Sequence, residues 1–318
     1  MGIGQIVLAI LALLVLVMLC ATVYFFRFAH RRVNEVPPGL EREGEEWLAY
    51  RQMTDEGLAW LAQRPSEKIT VTSHDGLKLA GTYIPAENAR ACVILFHGYR
   101  SWGLRDYGGL LPFYGENGLS MVVVDQRACG SSEGEFITFG VKERLDAKTW
   151  AEAMDARFGG EMPIILDGIS MGATTVMMAA DLELPESVVG LIADCGFTSP
   201  FDIIAHVAKT GFHMPAFPMV YLLSLAASMR AGFSYRQCDT RKTLANNRRP
   251  IFFLHGGDDT FVPTHMTEQN YAAAGGWKRK LIVPGAGHGL SYMVDKPACQ
   301  RALMEYMDVA LKGEVYGQ

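Results

Sequence analysis

Polar and apolar residues are sharply segregated along this chain, and the period of the segregation changes several times. From Ile3 to Phe26 no charged residue interrupts an apolar run, and Arg27 is the first charge met. A helix over those residues rises roughly 36 Å at 1.5 Å per residue, enough for a hydrocarbon layer of about 30 Å. A cleaved signal sequence is the rival reading. Against it, no Lys or Arg precedes the run, and the run is long for a signal core. Leu19 ahead of Cys20 also departs from a lipoprotein processing site. We therefore expect a single membrane-spanning helix. The basic residues Arg27, His30, Arg31 and Arg32 flank it on the C-terminal side only, which favours a cytoplasmic location for the rest of the chain.

Pro37-Pro38-Gly39 breaks the chain after this anchor. From Leu40 to Gln63 the period turns helical, with Trp47, Leu48, Met53, Leu58 and Leu61 among Glu and Arg, and Pro65 as the stop. Trp47 and Trp60 are expected to pack on the domain rather than rest at a membrane interface. Two alternating runs, Lys68–Thr72 and Leu77–Ile84, flank Ser73-His74-Asp75-Gly76 and predict a hairpin, with His74 an exposed loop residue. Continuous apolar runs occupy Cys92–Phe96, Ser120–Val124, Pro163–Leu166, Val188–Ala193, Ile251–Leu254 and Lys280–Val283. Helical periods lie at Lys142–Phe158, Met171–Asp181, Thr264–Ala274 and Pro297–Lys312. Buried strands alternating with helices predict the α/β class, a mostly parallel central sheet covered by helices on both faces.

Three regions result: 1–32 as anchor and basic flank, 33–67 as linker and amphipathic helix, and 68–318 as the α/β domain. Because the core begins near Lys68, residues 1–32 are expected to be dispensable for its folding. Residues from Phe197 to Asn247 are more than an ordinary crossover needs. Within them, Phe212 to Met229 holds no Asp, Glu, Lys or Arg. Pro215 and Pro218 leave too short a remainder to cross a membrane, so the segment is read as a helical cap insertion, about 197–247.

Composition changes this picture little. A hydrophobic share of 49% supplies an ample core, and a net charge of −5 gives no reason to expect nucleic acid. Cys20 lies in the apolar run. The other five, Cys92, Cys129, Cys195, Cys238 and Cys299, are odd in number and show no C-x-x-C spacing. They read as free thiols, with no disulfide framework, no metal and no cofactor expected.

The candidate chemistry gathers just past the carboxyl ends of the predicted strands, where parallel sheets place their sites. Ile164-Ile165-Leu166-Asp167 runs into Gly168-Ile169-Ser170-Met171-Gly172 and then into small and apolar residues. That pattern is a buried strand, a sharp turn and a close-packed helix, with the Ser170 hydroxyl at the apex. The glycines leave room where a Cβ would collide, and the helix aims its N-terminal N–H groups at the same point. Ser170 is thus the candidate nucleophile, and the N–H of Met171 a candidate oxyanion donor.

Taken in order, these motifs resemble the α/β-hydrolase fold over about Lys68 to Lys312. They are His97-Gly98, Asp125-Gln126-Arg127-Ala128-Cys129-Gly130-Ser131-Ser132, the Ser170 turn, His255-Gly256-Gly257-Asp258-Asp259-Thr260-Phe261-Val262-Pro263, and Gly287-His288-Gly289. The branch they are most similar to holds serine-aminopeptidase-like and acylglycerol-lipase-like hydrolases, some membrane anchored. The resemblance implies a Ser, Asp, His order, with His288 as base and Asp259 as acid. Asp258 beside it and Asp194 after the preceding strand are the alternatives. It also implies Tyr99 N–H as second oxyanion donor, His97 in the oxyanion loop, and His255 in a structural turn; Asp125 is expected to tie down its own loop. The sequence Arg127-Ala128-Cys129-Gly130 stands where many relatives have Arg-Gly-x-Gly.

The leading expectation is a membrane-anchored serine hydrolase acting on a small-molecule or lipid-like ester with an apolar acyl group. A serine peptidase or amidase is the alternative; Glu133 and Glu135 are the carboxylates that could bind a peptide amino terminus, though they read first as a solvated loop. A non-catalytic tethered binding module is the third, disfavoured by the intact Ser170, Asp259 and His288.

Overall fold

The computed structural model of the protein describes residues 2–32 and 45–312. The Pro37-Pro38-Gly39 break and the start of the helical period at Leu40 lie outside the described residues. Helix α1 (Ile3–His30) is followed by the short α2 (Glu45–Leu48) and α3 (Arg51–Ala62). Eight strands then form one sheet: β1 (Glu67–Thr72), β2 (Lys78–Ile84), β3 (Ala91–Phe96), β4 (Leu119–Val124), β5 (Ile164–Ile169), β6 (Val188–Asp194), β7 (Ile251–Gly256) and β8 (Lys278–Val283). Their order is β1-β2-β4-β3-β5-β6-β7-β8. β2 is antiparallel to both its neighbours, β1 in the expected hairpin and β4, while every other pairing is parallel.

Each position of β3, β4, β5 and β7 is buried, because helices cover both faces. Alternate residues serve opposite sides of the sheet. Val93, Leu95, Val123 and Ile165 pack in a cluster with residues of α3, α4 (Gly103–Tyr107), α5 (Leu111–Glu116) and, later in the chain, Lys296–Lys312. Ile94, Phe96, Val122 and Leu166 pack with α6 (Glu143–Arg157) and α7 (Met171–Ala179) on the other side. Neither α4 nor α5 was marked by the sequence pattern. At five and six residues they are too short to complete the repeat that identifies an amphipathic helix.

Between β6 and β7 lie α8 (Pro200–Gly211), α9 (Met219–Ala231) and α10 (Thr240–Ala245). The first two line the pocket beside Ser170. α10 instead lies against α7 and α11 (Thr264–Ala273), with Thr243 Oγ1 donating to the Met177 carbonyl and Thr240 Oγ1 to Asn270 Oδ1. The chain closes with α12 (Ser291–Val294) and α13 (Lys296–Lys312), whose Cys299, Ala302, Leu303, Tyr306, Met307 and Ala310 form one buried face.

α1 corrects the expectation that the first 32 residues are separable from the core. It runs past the apolar stretch to His30, and its last turns belong to the domain. Thr22, Phe26 and His30, four residues apart, make one buried face. Phe26 packs on Phe136 and joins a cluster with Val141, Met178 and the inner face of α9. His30 is wholly buried: Nδ1 donates to the Ile137 carbonyl at 2.8 Å and Nε2 lies 2.6 Å from the Tyr235 hydroxyl. The backbone continues the stitching, Arg32 N–H to the Glu135 carbonyl and Ile137 N–H to the His30 carbonyl. A residue read as part of the basic flank is therefore a core residue.

Candidate active site

β5 delivers Ser170 to the site on a turn that only a tight set of neighbours permits. Ser170 has φ +56° and ψ −113°, a region that costs a non-glycine residue about 1–3 kcal/mol. Its N–H donates to the Asp194 carbonyl at 2.7 Å, and its carbonyl accepts from Thr174 N–H at 3.0 Å, the first bond of α7. A Cβ at Gly168 would sit 2.2 Å from the Gly172 backbone, and one at Gly172 would sit 1.8 Å from the Phe96 oxygen. The turn thus requires glycine on both sides of the serine. Met171 begins α7, so its N–H has no acceptor within the helix.

His288, in the loop after β8, lies between two groups. Its Nε2 is 2.8 Å from Ser170 Oγ, and its Nδ1 is 2.7 Å from Asp259 Oδ2. A carboxylate only accepts, so Nδ1 carries the proton and Nε2 is left to accept from the serine hydroxyl. The Phe261 ring stands edge-on to the imidazole.

Of the three acids that the sequence offers, Asp259 is the one hydrogen-bonded to His288. It is buried, and its Oδ1 accepts from the N–H groups of Phe261 and Val262 at 2.9 Å each. His255 Nε2 also lies 3.1 Å from Oδ2. Burial alone would push this carboxyl up; hydrogen bonds from His255 and His288 outweigh it and hold the group well below the ordinary carboxylate range. Asp258 is exposed. Asp194 lends its carbonyl to Ser170, and burial pushes its own carboxyl up to about 6, while its Oδ1 has no partner among the described residues.

The other histidines near the site are spent on structure. His97 is buried, with Nδ1 on the Gly98 carbonyl at 2.7 Å and Nε2 accepting from Gln126 N–H at 3.0 Å, which ties the ends of β3 and β4 together. His255 is fixed by Thr267 Oγ1 and the Val262 carbonyl. Asp125 accepts from Ser131 N–H and so ties its own loop. Cys195 lies beside Asp259 and His288, and burial pushes its thiol well above the usual range, so it stays neutral.

Ser170 and His288 open into a cavity of about 440 Å³. Its walls are mostly apolar: Phe139 and Phe197 from loops, Ile203 and Val207 from α8, Met219 and Leu223 from α9. Tyr99 also lines it, but its phenol donates to the Ala29 carbonyl at 2.7 Å. Asp106, missed by sequence reasoning, accepts from Gly98 N–H and Ser101 Oγ and so fixes the loop that carries Tyr99. Also unforeseen are Phe25, Phe28 and Ala29, by which α1 itself forms part of the wall. The signal available was the aromatic cluster Tyr24-Phe25-Phe26-Arg27-Phe28 at the end of the apolar run. Neither Glu133 nor Glu135 is among the lining residues; Glu133 instead accepts from Lys78 N–H.

Comparison with known proteins agrees with this architecture. The chain is similar to the uncharacterized protein YqkD of Bacillus subtilis, 22% identical over 77% of this chain and 80% of that one. It is also similar to the uncharacterized protein YfhR of Salmonella typhi, 27% identical over 70% and 74%. Among solved structures, the esterase Pf2001 of Pyrococcus furiosus superposes with a TM-score of 0.63 at 21% identity, covering 78% of this chain and 94% of its own. The acylaminoacyl peptidase of Pyrococcus horikoshii superposes with a TM-score of 0.61 at 18% identity, covering 80% and 43%. The sequence profile of the alpha/beta hydrolase family matches residues 93–298. The chain belongs to the alpha/beta hydrolase family.

Proposed function

From a hydrolase of that family, with this pocket, we propose a membrane-anchored serine hydrolase that cleaves carboxylic esters carrying an apolar acyl group. The observation that carries the reading is the unbroken line from Ser170 Oγ through His288 to Asp259, at 2.8 and 2.7 Å, on one side of an apolar cavity. In this scheme Ser170 Oγ attacks the ester carbonyl as His288 Nε2 takes its proton. The ionised Asp259 stabilises the imidazolium. The N–H groups of Met171 and Tyr99 receive the oxyanion, a donor of this kind being worth about 3–4 kcal/mol of barrier. The intermediate collapses, His288 protonates the departing alcohol, and an acyl-enzyme remains. Water, deprotonated by His288, then attacks it and releases the acid and Ser170.

The apolar walls favour an acyl chain over a charged peptide terminus, and the carboxylates of Glu133 and Glu135 lie elsewhere. The name of the acylaminoacyl peptidase neighbour keeps amide cleavage as the second reading. α1 is long and apolar enough to cross a bilayer. Its burial of Phe26 and His30 in the domain favours a retained anchor, since cleavage would strip core residues away. Arg27 and Arg31 beyond the apolar run favour a cytoplasmic domain.

One paired panel tests the substrate reading. Each added methylene contributes about 0.8 kcal/mol, so kcat/KM should rise about fourfold per carbon along p-nitrophenyl esters until the pocket is full. We expect the rise to run from acetate to at least hexanoate, with matched aminoacyl anilides cleaved far more slowly. Labelling by a fluorophosphonate probe should vanish in Ser170→Ala. Preference for acetate together with strong anilide cleavage would overturn the ester reading in favour of the peptidase.

A further inference from the structure

We propose that the outward face of α9 is immersed in the bilayer that α1 enters, so that the pocket is supplied with its ester from the membrane. The proposal rests on the reading of α1 as an anchor and adds a second contact with the same lipid. α9 has two apolar faces. Met219, Val220, Leu223, Ala227 and Ala231 are buried inward. Phe217, just ahead of the helix, and Tyr221, Leu225 and Met229 recur every four residues and so form one stripe. They are 72%, 44%, 55% and 70% exposed. An ordinary surface helix carries polar residues there, and a contiguous apolar stripe marks a contact surface.

The length of α1 identifies what covers the stripe. Residues 3–17 are exposed all round and rise roughly 22 Å at 1.5 Å each. A hydrocarbon layer of about 30 Å needs some five residues more, to about position 22. Yet Met18, Ala21 and Thr22 already lie where α1 meets the cap: Met18 and Ala21 pack against the cluster that holds the inner face of α9, and Thr22 is buried. The crossing is therefore completed only if α9, alongside them, reaches membrane depth. Tyr24, exposed on α1 just beyond this level, suits the polar boundary, where tyrosines concentrate. Phe25 and Phe28 of α1 and Met219 and Leu223 of α9 line the cavity together. Its wall on this side is thus built from the two helices that meet the bilayer, and an ester dissolved in lipid reaches Ser170 from that side.

Depth-resolved fluorescence of the full-length protein in phosphatidylcholine vesicles tests this. Cys20 is the exposed cysteine and the other five are buried, so a Cys20→Ser background accepts single labelling sites. An environment-sensitive dye is placed at Ile10→Cys, Leu225→Cys or Glu152→Cys, the last on the exposed side of α6. Brominated acyl chains should quench the dye at positions 10 and 225 and leave 152 untouched. Quenching at 10 without quenching at 225 refutes the immersion of α9 and leaves the anchor standing. Quenching at neither position overturns the anchor reading as well. As a second measurement, the triple variant Phe217→Ser, Leu225→Ser, Met229→Ser changes no pocket residue. It should hydrolyse soluble p-nitrophenyl butyrate as the parent does but lose about tenfold on a long-chain ester embedded in vesicles. Equal rates on the embedded ester, or equal losses on both substrates, count against the proposal.

Discussion

A protein lacking residues 1–17 and one lacking residues 1–32 are expected to behave very differently. The shorter deletion takes away side chains that are exposed throughout residues 2–17 and should leave thermal stability as it was. The longer one removes Phe26, 4% exposed, and a buried Phe truncation alone costs about 3–5 kcal/mol. It also removes His30, leaving the Tyr235 hydroxyl and the Ile137 carbonyl without their partner, at about 1–3 kcal/mol for each group that stays buried. A loss of about 5 kcal/mol is a large part of the 5–15 kcal/mol that holds a typical protein folded. For a domain of this size it lowers Tm by roughly 10–20 °C. The assay is thermal unfolding in mild detergent, followed by the ester series on whatever remains folded. Without the Phe25, Phe28 and Ala29 wall, the dependence of kcat/KM on acyl length should flatten. His30→Ala should fall between the two deletions in stability. A 33–318 protein whose Tm lies within about 3 °C of the parent, with an unchanged acyl-length profile, would refute this account of α1.

Asp259→Asn should leave the fold intact and lower kcat by about 10³–10⁴, because His288 loses the group that fixes its tautomer and stabilises its cation, while Asp258→Asn should leave turnover unchanged. Steady-state kinetics on one ester compares the pair, and a silent Asp259→Asn would return the role to another acid. Asp167 gives a pH-dependent stability. Burial pushes its carboxyl up to about 7, against the opposing hydrogen bonds of Tyr114 and Tyr107. The folded state then holds a proton that the unfolded chain has already lost, so stability falls as pH rises from about 4 to 7 and levels off above. Over that window the parent should lose up to about 1 kcal/mol per pH unit more than Asp167→Asn, read from urea midpoints between pH 5 and 8. Parallel profiles for the two proteins would show that Asp167 ionises normally.

Much of the sheet was legible because a strand buried on both faces has to be apolar throughout, as β3, β4 and β7 nearly are. The Ser170 turn was legible for a different reason: its two glycines are dictated by contacts under 2.5 Å. Trp47 and Trp60 pack on the domain as expected, and Trp47 also reaches the pocket. The docking of α1 was not legible. A side chain buried against protein and one facing lipid are both simply apolar, so Phe25 and Phe26 look like a continuation of the span. His30 was hidden by its type. Beside three arginines it reads as charge, and only its partners far along the chain, the Ile137 carbonyl and the Tyr235 hydroxyl, explain why it is inside. Asp106 carries no motif at all; its part depends on the path of the loop after β3.

The stitched end of α1 gives the protein a mast rather than a leash. A catalytic domain on a flexible tether swings through a hemisphere above its membrane and meets the surface at every angle. Here His30, Phe26 and the backbone bonds of Arg32 and Ile137 clamp the helix to the domain, so the two tilt and turn together. If α1 crosses a bilayer as proposed, the height of Ser170 above the lipid, and the direction in which its pocket faces, are set by the fold. On that proposal, encounter with a membrane-borne substrate would become a search in two dimensions by a site already held at one altitude.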